Sequence, residues 1–312
     1  MRVLVTGGAG FVGSHLCDAL MGRGDEVVCI DNLSTGTIDN LEVLRAGGPF
    51  TFVRGDITSH PEVPGHFDAI AHLACPASPD EYLRMPIETL AIGSHGSEWV
   101  LGLAERDDCR VLLASTSEVY GDPLQHPQRE TYWGNVNPIG PRSVYDESKR
   151  FAEALFMAHR RARTTDVGIV RIFNTYGPRL RVKDGRVVSN FVAQALAGEP
   201  LTIYGDGSQT RSFCYVSDLV DGLIRMLDSA ETGPINLGNP NEMTVRELAA
   251  LILELTGSAS ELVTEPLPQD DPTLRRPDIT LASELLGWRP RIALSDGLLE
   301  TIGWQRDQIA SH

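Results

Sequence analysis

The sequence predicts an α/β fold, a doubly wound parallel sheet with a smaller second domain toward the C-terminus. Three observations predict it. Short apolar runs recur at Arg2–Thr6, Glu26–Asp31, Phe50–Val53, Asp68–Leu73, Arg110–Ser115 and Val167–Ile172, and stretches near 12–22, 86–106 and 143–163 between them are long enough for helices. Such alternation implies parallel strands, which need long crossovers. The first run leads straight into a glycine-rich turn. After residue 173 the texture changes: Gly177-Pro178, Gly185, Gly198, Pro200, Gly205 and Gly207 crowd together, and arginines enter the loops. A length of 312 residues suits about two domains. We expect residues 1–173 and about 212–234 in the sheet domain, because the helical stretch 217–229 returns to it, and 174–211 with 235–312 in the second.

Taken in order, the first strand ends in Thr6-Gly7-Gly8-Ala9-Gly10-Phe11-Val12-Gly13-Ser14, with glycines spaced GxxGxxG. The chain must turn sharply from strand to helix there. A side chain would block a pyrophosphate, and the helix start supplies N–H groups and a positive dipole end. The second strand ends at Asp31, 18 residues after Gly13, close to the spacing of about 20 in a Rossmann-type dinucleotide site. A carboxylate there accepts hydrogen bonds from ribose hydroxyls and repels a 2′-phosphate, which favours NAD over NADP. Asp56-Ile57, after the third strand, are placed to hold the adenine. Phe11, Val12, Asn32, Ser34, Thr35, Gly36 and Leu73 complete the candidate cofactor set, with Tyr145 and Lys149 at its nicotinamide end.

The fifth strand ends in Ala114-Ser115-Thr116-Ser117-Glu118. Ligands of a doubly wound sheet lie at the carboxyl ends of its strands, so Thr116, Ser117 and Glu118 are expected beside the nicotinamide. The helix after Pro141 carries Tyr145-Asp146-Glu147-Ser148-Lys149. Tyr145 and Lys149 are four apart and share a face. An ammonium beside a phenol lowers it toward working pH, and a phenolate removes the proton of an alcohol whose carbon is being oxidised.

Composition narrows the class. Hydrophobic residues make up 42% and charged residues 22%, which is ordinary globular composition and excludes disordered or collagen-like chains. The net charge of −15 opposes non-specific nucleic-acid binding; anionic ligands need local cations or N–H clusters. Five cysteines (Cys17, Cys29, Cys75, Cys109, Cys214) form no CxxC pair, so neither a disulfide framework nor a metal site is expected. With no signal-peptide pattern and no apolar run of membrane-spanning length, we expect a cytoplasmic protein without membrane contact.

The motifs TGGAGFVGS, STSEVYGDP, YxxxK and RIFNTYGPR together resemble the extended short-chain dehydrogenase/reductase superfamily. Within it, His126-Pro127-Gln128, Tyr132-Trp133-Gly134, the run Val136–Arg142, Tyr145-Asp146-Glu147, Asp184–Asn190, Gly207–Arg211, Gln269–Pro272, Arg275 and Leu286-Gly287-Trp288 resemble the UDP-glucuronate decarboxylases. The likeness covers roughly residues 1–305. It implies NAD as cofactor, a UDP-sugar as substrate and a homodimer formed by the helices at 86–106 and 143–163. It implies oxidation at the sugar C4 by Tyr145, assisted by Thr116 and Lys149, loss of CO₂ from the resulting β-keto acid, protonation at C5 and reduction at C4, with NAD restored. Ser117 and Glu118 act near the carboxylate and C5, although no residue is assigned as the C5 acid. Arg211 binds diphosphate, Arg275 the diphosphate or the sugar carboxylate, and Asn174 the diphosphate; Arg186, Asn190, Tyr204 and Gln209 lie where the uridine belongs. A 4,6-dehydratase would carry an acid at Ser117, and a 4-epimerase typically lacks the Glu at 118. A 4-epimerase, an oxidative decarboxylase releasing the 4-keto sugar, and a non-catalytic NAD-binding protein stay open beside the decarboxylase.

One segment departs from the pattern. Where these decarboxylases carry a Lys and two Asn, this chain has Ala91, Gly93 and Trp99. A lost cation bears on substrate choice, and a helical glycine costs up to ~1 kcal/mol relative to Ala, so a bend or shift is expected near Gly93.

Overall fold

The computed structural model describes residues 1–42, 48–182 and 184–310. β1 (Arg2–Thr6) turns into α1 (Phe11–Gly22), followed by β2 (Glu26–Asp31), β3 (Phe50–Arg54) and β4 (Ala69–His72). Two short helices, α2 (Pro79–Arg84) and α3 (Pro86–Ala91), run through a π-type turn at Ile92–Gly96 into α4 (Ser97–Asp107). Then come β5 (Arg110–Thr116), α5 (Ser143–Arg163), β6 (Val167–Ile172), β7 (Thr175–Tyr176), α6 (Val187–Ala197), β8 (Leu201–Tyr204), β9 (Thr210–Ser212), β10 (Cys214–Tyr215) and α7 (Val216–Asp228). The chain ends with β11 (Ile235–Leu237), β12 (Glu242–Thr244), α8 (Val245–Thr256), β13 (Leu262–Glu265), α9 (Thr280–Leu286) and α10 (Leu294–Ala310).

Seven strands form one parallel sheet in the order β11-β6-β5-β4-β1-β2-β3. β1 lies between β2 and β4, with Val5 opposite Cys29 on one side and Ala71 on the other. The sheet order reverses there, and a crevice opens beyond the carboxyl ends of β1 and β4. Both faces are covered. Leu16 and Leu20 of α1 and Leu219 and Leu223 of α7 pack on one side. Val100 and Leu101 of α4 and Phe156 of α5 pack on the other. Every residue of β5 is buried, which is why its middle, Val111–Ala114, reads as an unbroken apolar run rather than an alternation.

A third apolar cluster joins Phe191 and Val192 of α6, Leu201 and Ile203 of β8, Leu248 and Ile252 of α8, and Leu298 and Ile302 of α10. Helix α8 starts on a capping box: Thr244 Oγ1 accepts from Glu247 N–H at 3.1 Å, and Glu247 Oε2 accepts from Thr244 N–H at 2.7 Å. One feature differs from expectation. Ile235–Leu237 and buried Trp288, which the sequence division put in the second domain, pack with the sheet. The helix expected over 86–106, with its bend or shift near Gly93, is interrupted by the π-type turn, which begins one residue before Gly93. Residues 311–312, at the end of the expected second domain, lie outside the described residues.

Candidate active site

The glycine turn is shaped by close contact. Gly7 has φ +71°, and a Cβ on it would lie 2.7 Å from the Ala74 backbone. A Cβ on Gly13 would lie 2.2 Å from the Gly7 carbonyl oxygen. α1 starts at Gly10 with no capping side chain and no acid in its first turn, so its N–H groups remain available to an anion. Asp31 closes the far side: Oδ2 accepts from Ala9 N–H at 3.0 Å and Oδ1 from Leu33 N–H at 2.8 Å. Burial raises its carboxyl against those two bonds. Asp56 accepts from Asn32 Nδ2 at 3.0 Å and Thr58 N–H at 2.9 Å. This cradle of bare backbone, free helix N–H groups and a carboxylate fits NAD: the turn would hold the pyrophosphate and Asp31 the adenosine ribose.

The other end of the crevice is formed by β5 and α5. Tyr145 and Lys149 are both buried on one face of α5, as their spacing predicts. Lys149 Nζ donates to the Ala114 carbonyl in β5 at 2.8 Å. Its charge and full burial hold His72 down to about 3, burial being the larger cause, so His72 is neutral. The Tyr145 ring stacks on Tyr82 of α2, with centroids 5.1 Å apart and planes 5° apart. The Thr116 hydroxyl lies beside the Tyr145 phenol and favours its ionised form.

One expectation is corrected here. Within the protein the Tyr145 phenol is raised rather than lowered: burial is the largest cause, and the Cys75 and Glu118 neighbours add to the rise. The Thr116 hydroxyl and the Arg186 guanidinium oppose this. The physical reason is that the phenol has been withdrawn from water, which disfavours its charged form.

Beyond Thr116 lies a cluster of charges. Glu118 Oε2 accepts from Arg142 Nη2 at 2.9 Å and from Arg275 Nη2 at 3.2 Å. Arg275 Nη1 also donates to the Ser117 carbonyl at 2.6 Å. Asp271 bridges Arg211 at 2.8 Å and Arg142 at 3.3 Å. Burial alone would raise the Glu118 carboxyl, but Arg275 and Arg142 outweigh it and hold it at about 2. Asp146 shows the opposite result: burial and then the Glu118 charge push it to about 8, against Arg142 and Arg275. Three guanidinium groups, Arg142, Arg211 and Arg275, therefore face the two carboxylates of Glu118 and Asp271, leaving positive charge for an anion.

Most expected site residues converge. Gly7, Gly10, Phe11, Val12, Gly13, Asp31, Asn32, Ser34, Thr35, Asp56, Ile57, Leu73, Thr116, Ser117, Glu118, Tyr145, Lys149, Asn174 and Arg186 line the crevice. Gly36 lies against the Ala9 backbone, one layer behind it. Arg211 and Arg275 join through Glu118 and Asp271. Arg186, expected at the uridine, lies over the Phe11 ring at 5.9 Å and pairs with Asp184. Tyr204 and Gln209 are outside the crevice wall and bond each other, Gln209 Nε2 donating to the Tyr204 carbonyl at 2.7 Å. Asn190, one turn after Arg186 on α6, is likewise outside it. Three residues were missed: Arg142, Tyr82 and Asn40, whose Nδ2 donates to the Ala9 carbonyl at 3.0 Å. The GPR sequence before Tyr145 was the available signal for Arg142.

Residues 3–238 match the model of the NAD dependent epimerase/dehydratase family. The chain is 56% identical over 298 residues to UDP-glucuronic acid decarboxylase 4 of Arabidopsis thaliana, covering 96% of this chain and 67% of that protein. It is 54% identical over 299 residues to UDP-glucuronic acid decarboxylase 6 of the same plant, covering 96% and 87%. Among solved structures, UDP-glucose 4-epimerase of Thermotoga maritima with UDP-glucose superposes with a TM-score of 0.90 at 29% identity, covering 99% of this chain and 100% of that one. UDP-glucuronic acid 4-epimerase of Bacillus cereus, in complex with UDP-glucuronic acid and NAD, gives 0.87 at 27% identity, covering 99% and 100%. The chain belongs to the NAD dependent epimerase/dehydratase family and, within it, stands among the UDP-glucuronic acid decarboxylases.

Proposed function

We propose that this chain converts UDP-glucuronate to UDP-xylose and CO₂ through a 4-keto sugar, using NAD that is restored in each turnover. The observation that carries the reading is the tie between Thr116-Ser117-Glu118 and Arg275 beside Tyr145, in a chain more than half identical to decarboxylases. NAD⁺, when bound, supplies a positive charge near the phenol and a two-electron acceptor for C4. Tyr145 Oη takes the proton of the C4 hydroxyl while the Thr116 hydroxyl holds the same oxygen in line. Lys149, fixed on Ala114, adds the ammonium that the ionised phenol needs. The oxidised sugar is a β-keto acid, so the C5–carboxylate bond breaks with its electron pair delocalising onto the C4 oxygen. The protonated Tyr145 donates a hydrogen bond to that oxygen. A proton then adds to C5, and C4 is reduced again.

The surplus positive charge around Arg142, Arg211 and Arg275 supports a substrate with a carboxylate and a diphosphate. We assign Asn174, Arg186, Asn190, Tyr204, Gln209 and Arg211 to the UDP moiety. On this reading, 1–173 with 212–234 form the cofactor side, and 174–211 with most of 235–312 the nucleotide-sugar side. A homodimer is part of the proposal, supported by exposed Ile87 (72%) on α3 and Phe151 (51%) on α5. So is a cytoplasmic location, supported by five unpaired cysteines; among the described residues, no helix is long and apolar enough to cross a membrane. The test is incubation with UDP-glucuronate and NAD⁺, following CO₂ and absorbance of NADH. CO₂ release without NADH build-up is the expected result. One NADH per CO₂ indicates release of the 4-keto sugar, and C4 inversion without CO₂ indicates an epimerase.

A further inference from the structure

Where the interrupted helix packs on the Tyr145 helix, Gly93 makes the tightest approach to its backbone. A Cβ on Gly93 would lie 2.1 Å from Ser148 Oγ, 2.6 Å from the Ser148 carbonyl oxygen and 3.0 Å from its carbonyl carbon. Two of these three atoms are backbone, so a rotamer change cannot relieve the clash. Ser148 Oγ donates to the Thr89 carbonyl at 2.9 Å, fastening α5 to α3 across the same contact. Ser148 is the residue before Lys149, and Lys149 Nζ is fixed from the other side by Ala114 at 2.8 Å. The reacting face of α5 is thus clamped between β5 and the π-type turn. Turns of this kind widen a helix locally and commonly mark functional sites. Here the turn brings the backbone of Gly93 against that of Ser148.

We infer that Gly93 is a positioning residue for the reaction: its missing side chain sets the depth of α5 and so the placement of Tyr145 and Lys149 against the end of β5. This rests on the reading of Tyr145 and Lys149 as the reacting pair. It also accounts for a glycine where the resemblance led us to expect an asparagine, because Ser148 Oγ occupies the space that a side chain at 93 would need.

The test compares Gly93→Ala, Gly93→Ala/Ser148→Gly and Gly102→Ala, where a Cβ on Gly102 would meet nothing within 4 Å. Each variant is assayed for bound NAD, thermal midpoint, kcat, KM for UDP-glucuronate and the pH dependence of kcat. Gly93→Ala is expected to lower kcat by roughly tenfold or more, since small misplacements of reacting groups are costly. KM should stay within about twofold, because this step precedes none of the binding contacts, and the pH profile should shift as the Tyr145–Lys149 geometry changes. The double variant should recover part of kcat, because the Oγ clash is gone, and Gly102→Ala should match the parent. A Gly93→Ala enzyme with parental kcat and pH profile overturns the inference. If Gly93→Ala does not fold, the double variant decides: parental kcat and an unmoved profile overturn the inference, and a reduced kcat with a shifted profile supports it. If Tyr145→Phe keeps full activity, the underlying reading has failed rather than this inference alone.

Discussion

Replacing Tyr145 with Phe is expected to lower turnover of UDP-glucuronate by about 10²- to 10⁴-fold, the usual contribution of a positioned acid–base group. The substitution removes one oxygen and leaves the ring. Stacking on Tyr82, at 5.1 Å and 5°, therefore persists, and the buried face of α5 is undisturbed. Only the proton acceptor for the C4 hydroxyl and the partner of Thr116 disappear. NAD should remain bound, because the glycine turn and Asp31 lie at the other end of the crevice. Steady-state rates together with NAD content of the purified variant check this. Turnover near the parental rate would remove the phenol from the reaction.

Arg275→Ala is the second large effect, and it acts on both stability and binding. Arg275 is 1% exposed and is bonded to the Ser117 carbonyl and to Glu118. Truncation leaves Glu118 with Arg142 alone in a buried setting. Because Arg142 still pairs Glu118, the cost stays below the figure of about 3–5 kcal/mol for leaving a buried charge wholly unpaired. Affinity for UDP-glucuronate should fall at least about tenfold more than affinity for NAD, and more than affinity for UDP-glucose, which lacks the carboxylate. Calorimetric titrations with the three ligands separate these effects; equal loss for all three would mean general disruption of the fold. The pH dependence has a definite sign. Glu118 is held at about 2 in the folded chain against an ordinary 4.5, so its pairing contributes stability that is present above about 4.5 and is lost as pH falls toward 2. Without Arg275 the folded-state value rises, and acid unfolding should begin at higher pH.

Much of this arrangement is legible in the amino-acid sequence. Arg2–Thr6, Glu26–Asp31 and Val167–Ile172 match their predicted spans, because parallel strands covered on both faces are continuous apolar runs bounded by turns. The glycine turn was legible because its backbone geometry admits few other residues. Ile235–Leu237 was missed as a sheet strand: three residues carry no measurable period. Arg142 was missed because its role exists only in three dimensions. Its partners Glu118 and Asp271 lie 24 and 129 positions away. Gly93 was noticed as an oddity, but the reason for it, the backbone of Ser148, lies on another helix. The direction of the Tyr145 shift was misjudged for a related cause. Spacing placed the ammonium on the same face, while burial of the phenol decided the direction.

The central claim is that electrons leaving C4 of the sugar return to C4 of the same sugar after CO₂ departs. UDP-glucuronate carrying deuterium at C4, turned over in ordinary water with excess unlabelled NADH in solution, tests it directly. Mass and proton spectra of the product should show UDP-xylose with the C4 deuterium retained and an ordinary hydrogen at C5. UDP-xylose without the label, or a labelled cofactor left beside a 4-keto sugar, would contradict the account.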